Sequence, residues 1–164
     1  MPKIINEHIL DADENYIVIP MPISGDMSFN SLSKINQAFP HVHRECLKYL
    51  RHCSKKNIDP RGSIQFIPAE VWALTMVDTI KNTSVPDYDS HYQYIVPVYC
   101  CREDRQIDAT AFAGGIHLVA QMAEENNASI AISMPGNLNS LVIQNVSENV
   151  FKGSNLSVVI CRHK

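Results

Sequence analysis

The side chains best placed to do chemistry in this 164-residue chain gather around one stretch, IVIPMPISGDMSFNSLSKINQAFP, Ile17 to Pro40. It runs from an apolar strand through a Gly-Asp-Met turn into an amphipathic helix. That is the arrangement by which α/β proteins hold a phosphate on amides at a helix N-terminus. Two residues resist the assignment. Pro22 ends the strand and offers no N–H, and Gly25 is the stretch's lone glycine. Successive amides around Gly25–Ser28 outline a small anion nest, yet the Asp26 carboxylate repels phosphate unless it points away. Asp26 is also a candidate acid or base, a role that needs a titratable group within hydrogen-bond reach of the breaking bond. As a helix cap or solvated turn residue it does neither.

Other reactive types lack partners. His41-Val42-His43 places two imidazoles two apart at a helix start, where they do not share a face, and no nearby ligand completes a metal set. Five cysteines, Cys46, Cys53, Cys100, Cys101 and Cys161, show no Cys-x-x-Cys spacing, so neither a disulfide scaffold nor a zinc site is expected. Cys46 and Cys53 read as buried helix thiols, and Cys100-Cys101 as strand and loop edge. His117 sits beside the apolar face of a helix, as a core-edge residue would. Gly114-Gly115 in that helix costs roughly 1 kcal/mol per glycine against alanine, which close packing on a sheet explains. Tyr88, Tyr92, Tyr94 and Tyr99 either stack on a base or pack their own segment down.

The elements that must position these residues alternate. Lys3–Ile5 reads as an edge strand and Asn15–Ile23 as a buried, parallel-type strand. Ser31–Phe39 is a helix with Leu32, Ile35 and Phe39 on one face, ended by Pro40; Val42–Cys53 is a second. Ser63–Pro68 and Val71–Ile80 are strands, and Lys81–Gln106 is a long excursion with room for one extra strand. Asp108 caps a helix through Asn126, with Phe112, Ile116, Val119, Ala120 and Ala123 on its buried face. Ala128–Met134 is a strand, followed by a loop, a helix over Leu141–Phe151 and a last strand over Leu156–Cys161. Such alternation implies a largely parallel sheet covered on both faces. Ligands then bind beyond the strands' carboxyl ends, which brings the Gly-Asp-Met turn and the loop after Met134 to one site.

Composition agrees with one compact domain. Apolar residues are 45% and charged residues 19%, too apolar for disorder. A net charge of -3 leaves no basic face for nucleic acid. No apolar run reaches a membrane span's length, and MPKIINEHIL lacks the features of a signal peptide. The expectation is a cytoplasmic protein with no membrane or nucleic-acid partner, no metal and no cofactor.

Taken in order, these segments resemble macro domains, the ADP-ribose-binding α/β/α modules. Gly25, Met27, Phe39 and Pro40 match the first ligand loop, helix and aromatic-Pro ending. GSIQFIP resembles the strand after the second helix, and IDATAFAGGIHLVAQMAEENNASIAISMPG the long helix, strand and Pro before the second ligand loop. The resemblance implies a single domain over 1–164, a three-layer α/β/α fold with a mixed, mostly parallel sheet, and an insertion at 82–106. It implies ligand contacts in the first loop from Pro22, Ser24, Gly25, Asp26, Met27, Ser28 and Asn30. The second loop supplies Pro135, Gly136, Asn137, Leu138, Asn139 and Ser140. His8 and Ile9 stand where the family's Gly-Asp-Ile recognises adenine, with Glu7 or Asp11 as alternatives to His8.

The departures bear on catalysis. Pro22 replaces the Asn that orients the distal ribose, and Ser28 and Asn30 replace glycines. Lys81 follows the Val71–Ile80 strand where a catalytic lysine is found in some members, but Gly136–Ser140 holds no Asp to pair with it. His91 enters only if the excursion folds over the cleft. The expected function is therefore binding of ADP-ribose or a related nucleotide without turnover. One alternative is a divergent ADP-ribosyl hydrolase or ADP-ribose-phosphate phosphatase using Asp26 or Lys81. Another is a protein-interaction module with a filled cleft and residues 81–106 as its contact surface.

Overall fold

The computed structural model describes residues 2–28, 30–69, 93–102, 106–135 and 140–163. Its strands are β1 (Lys3–Ile5), β2 (Tyr16–Pro22), β3 (Ile67–Pro68), β4 (Tyr94–Cys101), β5 (Ile130–Pro135) and β6 (Val158–His163). The helices are α1 (Asn30–Ala38), α2 (Pro40–Lys56), α3 (Ala109–Asn126) and α4 (Ser140–Val150), with a short 3-10 turn at Ile9–Asp11. The sheet has the order β1-β6-β5-β2-β4-β3. All neighbours are parallel except β3, which runs against β4.

Strand alternation divides the core between the two faces of the sheet. Val18, Val96 and Val98 meet Phe112, Ile116 and Val119 of α3 and Ile143 of α4. Ile17, Ile19 and Met21 meet Leu32 and Ile35 of α1 and Val42 and Cys46 of α2. The result is the expected three-layer α/β/α sandwich. Helix ends follow their sequence signals. Asp108 accepts a hydrogen bond from the Ala111 amide (3.1 Å) at the start of α3, and Pro40 opens α2 where its missing N–H costs nothing. Asn57 and Asn127 close α2 and α3 in the left-handed conformation. Gly115 lets α3 lie close on β4: a Cβ there would come within 2.4 Å of Val98 Cγ1. Gly114 faces open space, and His117 is exposed rather than at the core edge.

The described part of the 82–106 segment holds the one strand for which the sequence left room, and that strand is central: all eight residues of β4 are buried between β2 and β3. Ile95, Val96 and Val98 are β-branched, as a strand covered on both faces requires. Tyr94 and Tyr99 are likewise core residues, 3% and 0% exposed. Tyr94 packs edge-on against Tyr16 and Phe66. Cys100 and Cys101 both end inside β4, and all five cysteines are buried free thiols. The expected strand Ser63–Pro68 is regular only at Ile67–Pro68, with an isolated bridge from Ile64 to Val98. Pro97 explains the gap. It accepts from the Gln65 amide but has no N–H to return. The expected strand over 71–80, with Lys81, Tyr88, His91 and Tyr92, lies outside the described residues.

Candidate functional site

The site begins with the way β2 is tied to its two neighbours. Tyr16 N donates to Ser129 O on the β5 side, and Ile23 N donates to Cys101 O on the β4 side, both at 3.0 Å. Backbone groups alternate in direction along a strand. Even residues of β2 therefore face β5 and odd residues face β4. Ile130 N donates to Ser157 O beside β6 (2.9 Å), so the odd residues of β5, Ala131, Ser133 and Pro135, face β2. The next donors along this seam would be Pro20, Pro22 and Pro135. None has an N–H.

The observed pairing stops accordingly. β2 and β5 pair only through Tyr16↔Ile130, Ile17↔Ala131 and Val18↔Ile132. Beyond that, β2 stays laced to β4 as far as Pro22↔Cys101, and β5 to β6 as far as Pro135↔His163. An unlaced fork is left between the carboxyl ends of β2 and β5. It also marks where strand order reverses, since the chain proceeds from β2 toward β4 and from β5 toward β6. In open α/β sheets that is the ligand crevice.

The turn after β2 forms the first wall. Gly25 N donates to Pro22 O (3.0 Å), and Gly25 sits at φ +80, where other residues are strained. A Cβ on Gly25 would come within 2.9 Å of Leu47 Cδ2 and 3.0 Å of Leu50 Cδ1. The turn is thus pressed onto α2, where His43 Nε2 also donates to the Gly25 carbonyl (3.1 Å). Asp26 N donates to Ser24 Oγ (3.3 Å), and Ser28 N donates to Asp26 Oδ1 (2.9 Å). The expected anion nest is partly occupied from within, because a carboxylate of the chain takes an amide a phosphate would use.

Burial sorts the remaining candidates. Ser24, Asp26 and Ser28 are exposed, whereas Pro22 and Gly25 are buried. Met27 is 2% exposed and packs in the core with Leu32 and Ile35, so it steadies the turn from beneath. Asn30 opens α1. Pro135 ends β5 and Ser140 begins α4, while Gly136, Asn137, Leu138 and Asn139 lie outside the described residues.

His8 caps the 3-10 turn after β1, its Nδ1 accepting from Leu10 N (3.1 Å), which assigns the neutral ring's proton to Nε2. Ile9 is a core residue, 1% exposed. The turn packs against α1, β5 and β6, which brings His8 to the same end of the sheet as the fork. The surroundings are acidic. Burial, then the carboxylates of Glu14, Glu7 and Asp11, push the Cys161 thiol up to about 11. Burial and the neighbouring Asp13 also raise Glu14 above the usual carboxylate range.

Of the paired histidines, His41 is buried and its Nε2 donates to Pro68 O (2.8 Å). Among the described residues no three His, Cys, Asp or Glu side chains gather as a metal would require. Sequence reasoning missed two features. Pro20 and Pro135 were visible signals for the fork, but the His43–Gly25 contact, 18 residues apart, had none.

No family model matches the chain, and neither does any curated protein. Solved structures do. A macrodomain protein from Streptomyces coelicolor superposes with a TM-score of 0.71 at 10% identity, covering 100% of this chain and 99% of that one. The macrodomain of Mycobacterium tuberculosis DarG gives 0.66 at 14% identity, covering 98% and 97%. Thermosipho africanus DarTG, solved in complex with ADP-ribose, gives 0.63 at 13% identity, covering 96% of this chain and 40% of that one. The fold is that of the macrodomains.

Proposed function

We propose that this macrodomain-fold chain binds ADP-ribose or a related nucleotide in the crevice between β2 and β5, without turning it over. The observation that carries the proposal is the unlaced fork with the Gly25–Ser28 turn on its rim. The ADP-ribose complex of a similarly folded protein supports the ligand class. Two observations at the expected catalytic positions favour binding without turnover. Pro22 has no side-chain amide to orient a ribose, and Asp26 spends an oxygen on the Ser28 amide (2.9 Å). Calorimetry with ADP-ribose is the test: saturable heat is expected below millimolar concentration, and its absence at millimolar ligand would overturn the proposal. Release of ADP-ribose from a modified protein, lost on Asp26→Ala, would instead establish the hydrolase alternative.

A protein-interaction module with a filled cleft is the second reading, favoured by the burial of Met27 at 2% exposure beneath the turn. It predicts no nucleotide heat.

A further inference from the structure

We infer that the outward ridge of α2 is a docking surface for the phosphate backbone of a nucleic-acid duplex, held without regard to base sequence. The inference stands apart from the nucleotide reading above, because it concerns the outer layer of the fold and not the crevice.

The net charge of -3, which along the sequence leaves no basic face, conceals one that the fold collects. α2 carries five of the chain's 14 lysines and arginines and one of its 17 carboxylates. Val42, Cys46 and Cys53 are buried and Tyr49 is half-buried, which sets the inward row of this helix. Arg44, Lys48, Arg51 and Lys55 repeat the same spacing two residues on, about 200° around the helix, and all four are exposed. The row is about 16 Å long, a distance over which one strand of a duplex presents about five phosphates.

Stability does not account for the row. Like charges three and four residues apart repel and weaken a helix. The helix dipole favours Lys55 and Lys56 in the last turn, but not Arg44 near the start. Lys48 pairs with Glu45 at 3.3 Å. Among the described residues no carboxylate lies within ion-pair distance of Arg44, Arg51 or Lys55. The choice of partner follows from what the ridge lacks. An acidic protein surface or a membrane would need an apolar anchor beside the charges, and the nearest apolar side chains, Leu47 and Leu50, lie against the Gly25 turn. A single strand would need an exposed aromatic ring to stack on its bases, and the ridge has none. A duplex backbone needs only evenly spaced cations.

The experiment is fluorescence anisotropy of the full chain with a labelled DNA duplex of arbitrary sequence, across a range of salt. Affinity should fall about 100-fold between about 50 and 200 mM salt, as four neutralised phosphates require. Arg51→Gln should reduce that fall to about 40-fold, and Arg44→Gln, Arg51→Gln and Lys55→Gln together to below about fivefold. Lys152→Gln, an exposed lysine beyond α4, should change nothing, and excess ADP-ribose should leave the duplex bound. No duplex binding at low salt would overturn the inference, as would binding that the triple change leaves intact. Displacement by ADP-ribose would put the duplex in the crevice and overturn the ridge assignment. Polyglutamate or anionic lipid vesicles held as tightly as the duplex would overturn it in favour of a different partner.

Discussion

The two flanks of β2 are built from the same seven residues and behave in opposite ways. Toward β4 the strand is paired in register from Tyr16↔Tyr94 to Met21↔Tyr99 and, past a bulge that skips Cys100, again at Pro22↔Cys101. Toward β5 the lacing ends at Val18↔Ile132. Both flanks are buried, so hydrophobicity does not separate them. Parity does: Ile17, Ile19 and Met21 turn their N–H groups to β4, and Pro20 and Pro22 turn ring nitrogens to β5. A central strand ordinarily excludes proline. Here proline is tolerated because only one neighbour is deprived, and that neighbour borders the crevice.

The largest expected effect comes from moving the proline by one residue. Ile19→Pro would break the closed seam and forfeit the packing of a fully buried side chain, destabilising by more than about 3 kcal/mol in urea unfolding. Pro20→Ala should cost no more than about 2 kcal/mol, mostly packing, while returning a donor opposite Ser133 and weakening the ligand by closing the fork. Equal losses from the two changes would break the parity argument.

Next in size is Gly115→Ala, which drives a Cβ to 2.4 Å from Val98 Cγ1 behind the closed seam. Overpacking of this kind costs roughly 1–3 kcal/mol, and ADP-ribose affinity should stay within about twofold, because the change lies on the opposite face from the turn. Gly25→Ala reverses that pattern. Its stability loss of about 1–2 kcal/mol, from φ +80 and the Leu47 contact, should come with clearly weaker binding.

The smallest effect is in pH. Burial pushes the Cys46 thiol from 9.0 up to about 11, so the folded state holds this proton more tightly than the unfolded chain does. The associated stability is fully present below pH 9 and is lost as pH rises through 11. Unfolding midpoints should fall across that window, and Cys46→Ala should flatten the slope even though it lowers overall stability.

Much of the fold was legible because its signals are local. The Asp108 cap, the α3 face from Phe112 to Ala123 and the proline between α1 and α2 all act within a few residues. β4 was read as part of an excursion because an apolar run does not say which strand it will pair with, and its partner β2 lies some 80 positions earlier in sequence. The turn at Gly25 was legible as a tight turn between strand and helix. Its inward-turned amides were not, because Ser24, Asp26 and Ser28 read equally well as donors for an anion until their geometry is known. The prolines of the fork stood in plain view, but their meaning depends on register, which fixes which neighbour loses the hydrogen bonds.

The most direct test of the fork as the binding crevice is an amide NMR titration with ADP-ribose. Shifts should concentrate at Ile23–Ser28, at Ser133 and Met134, and in the residues between β5 and α4, with the β3–β4 edge quiet. Saturable binding whose shifts fall on Ile64–Ile67 and the β4 flank, leaving the fork unmoved, would contradict the account.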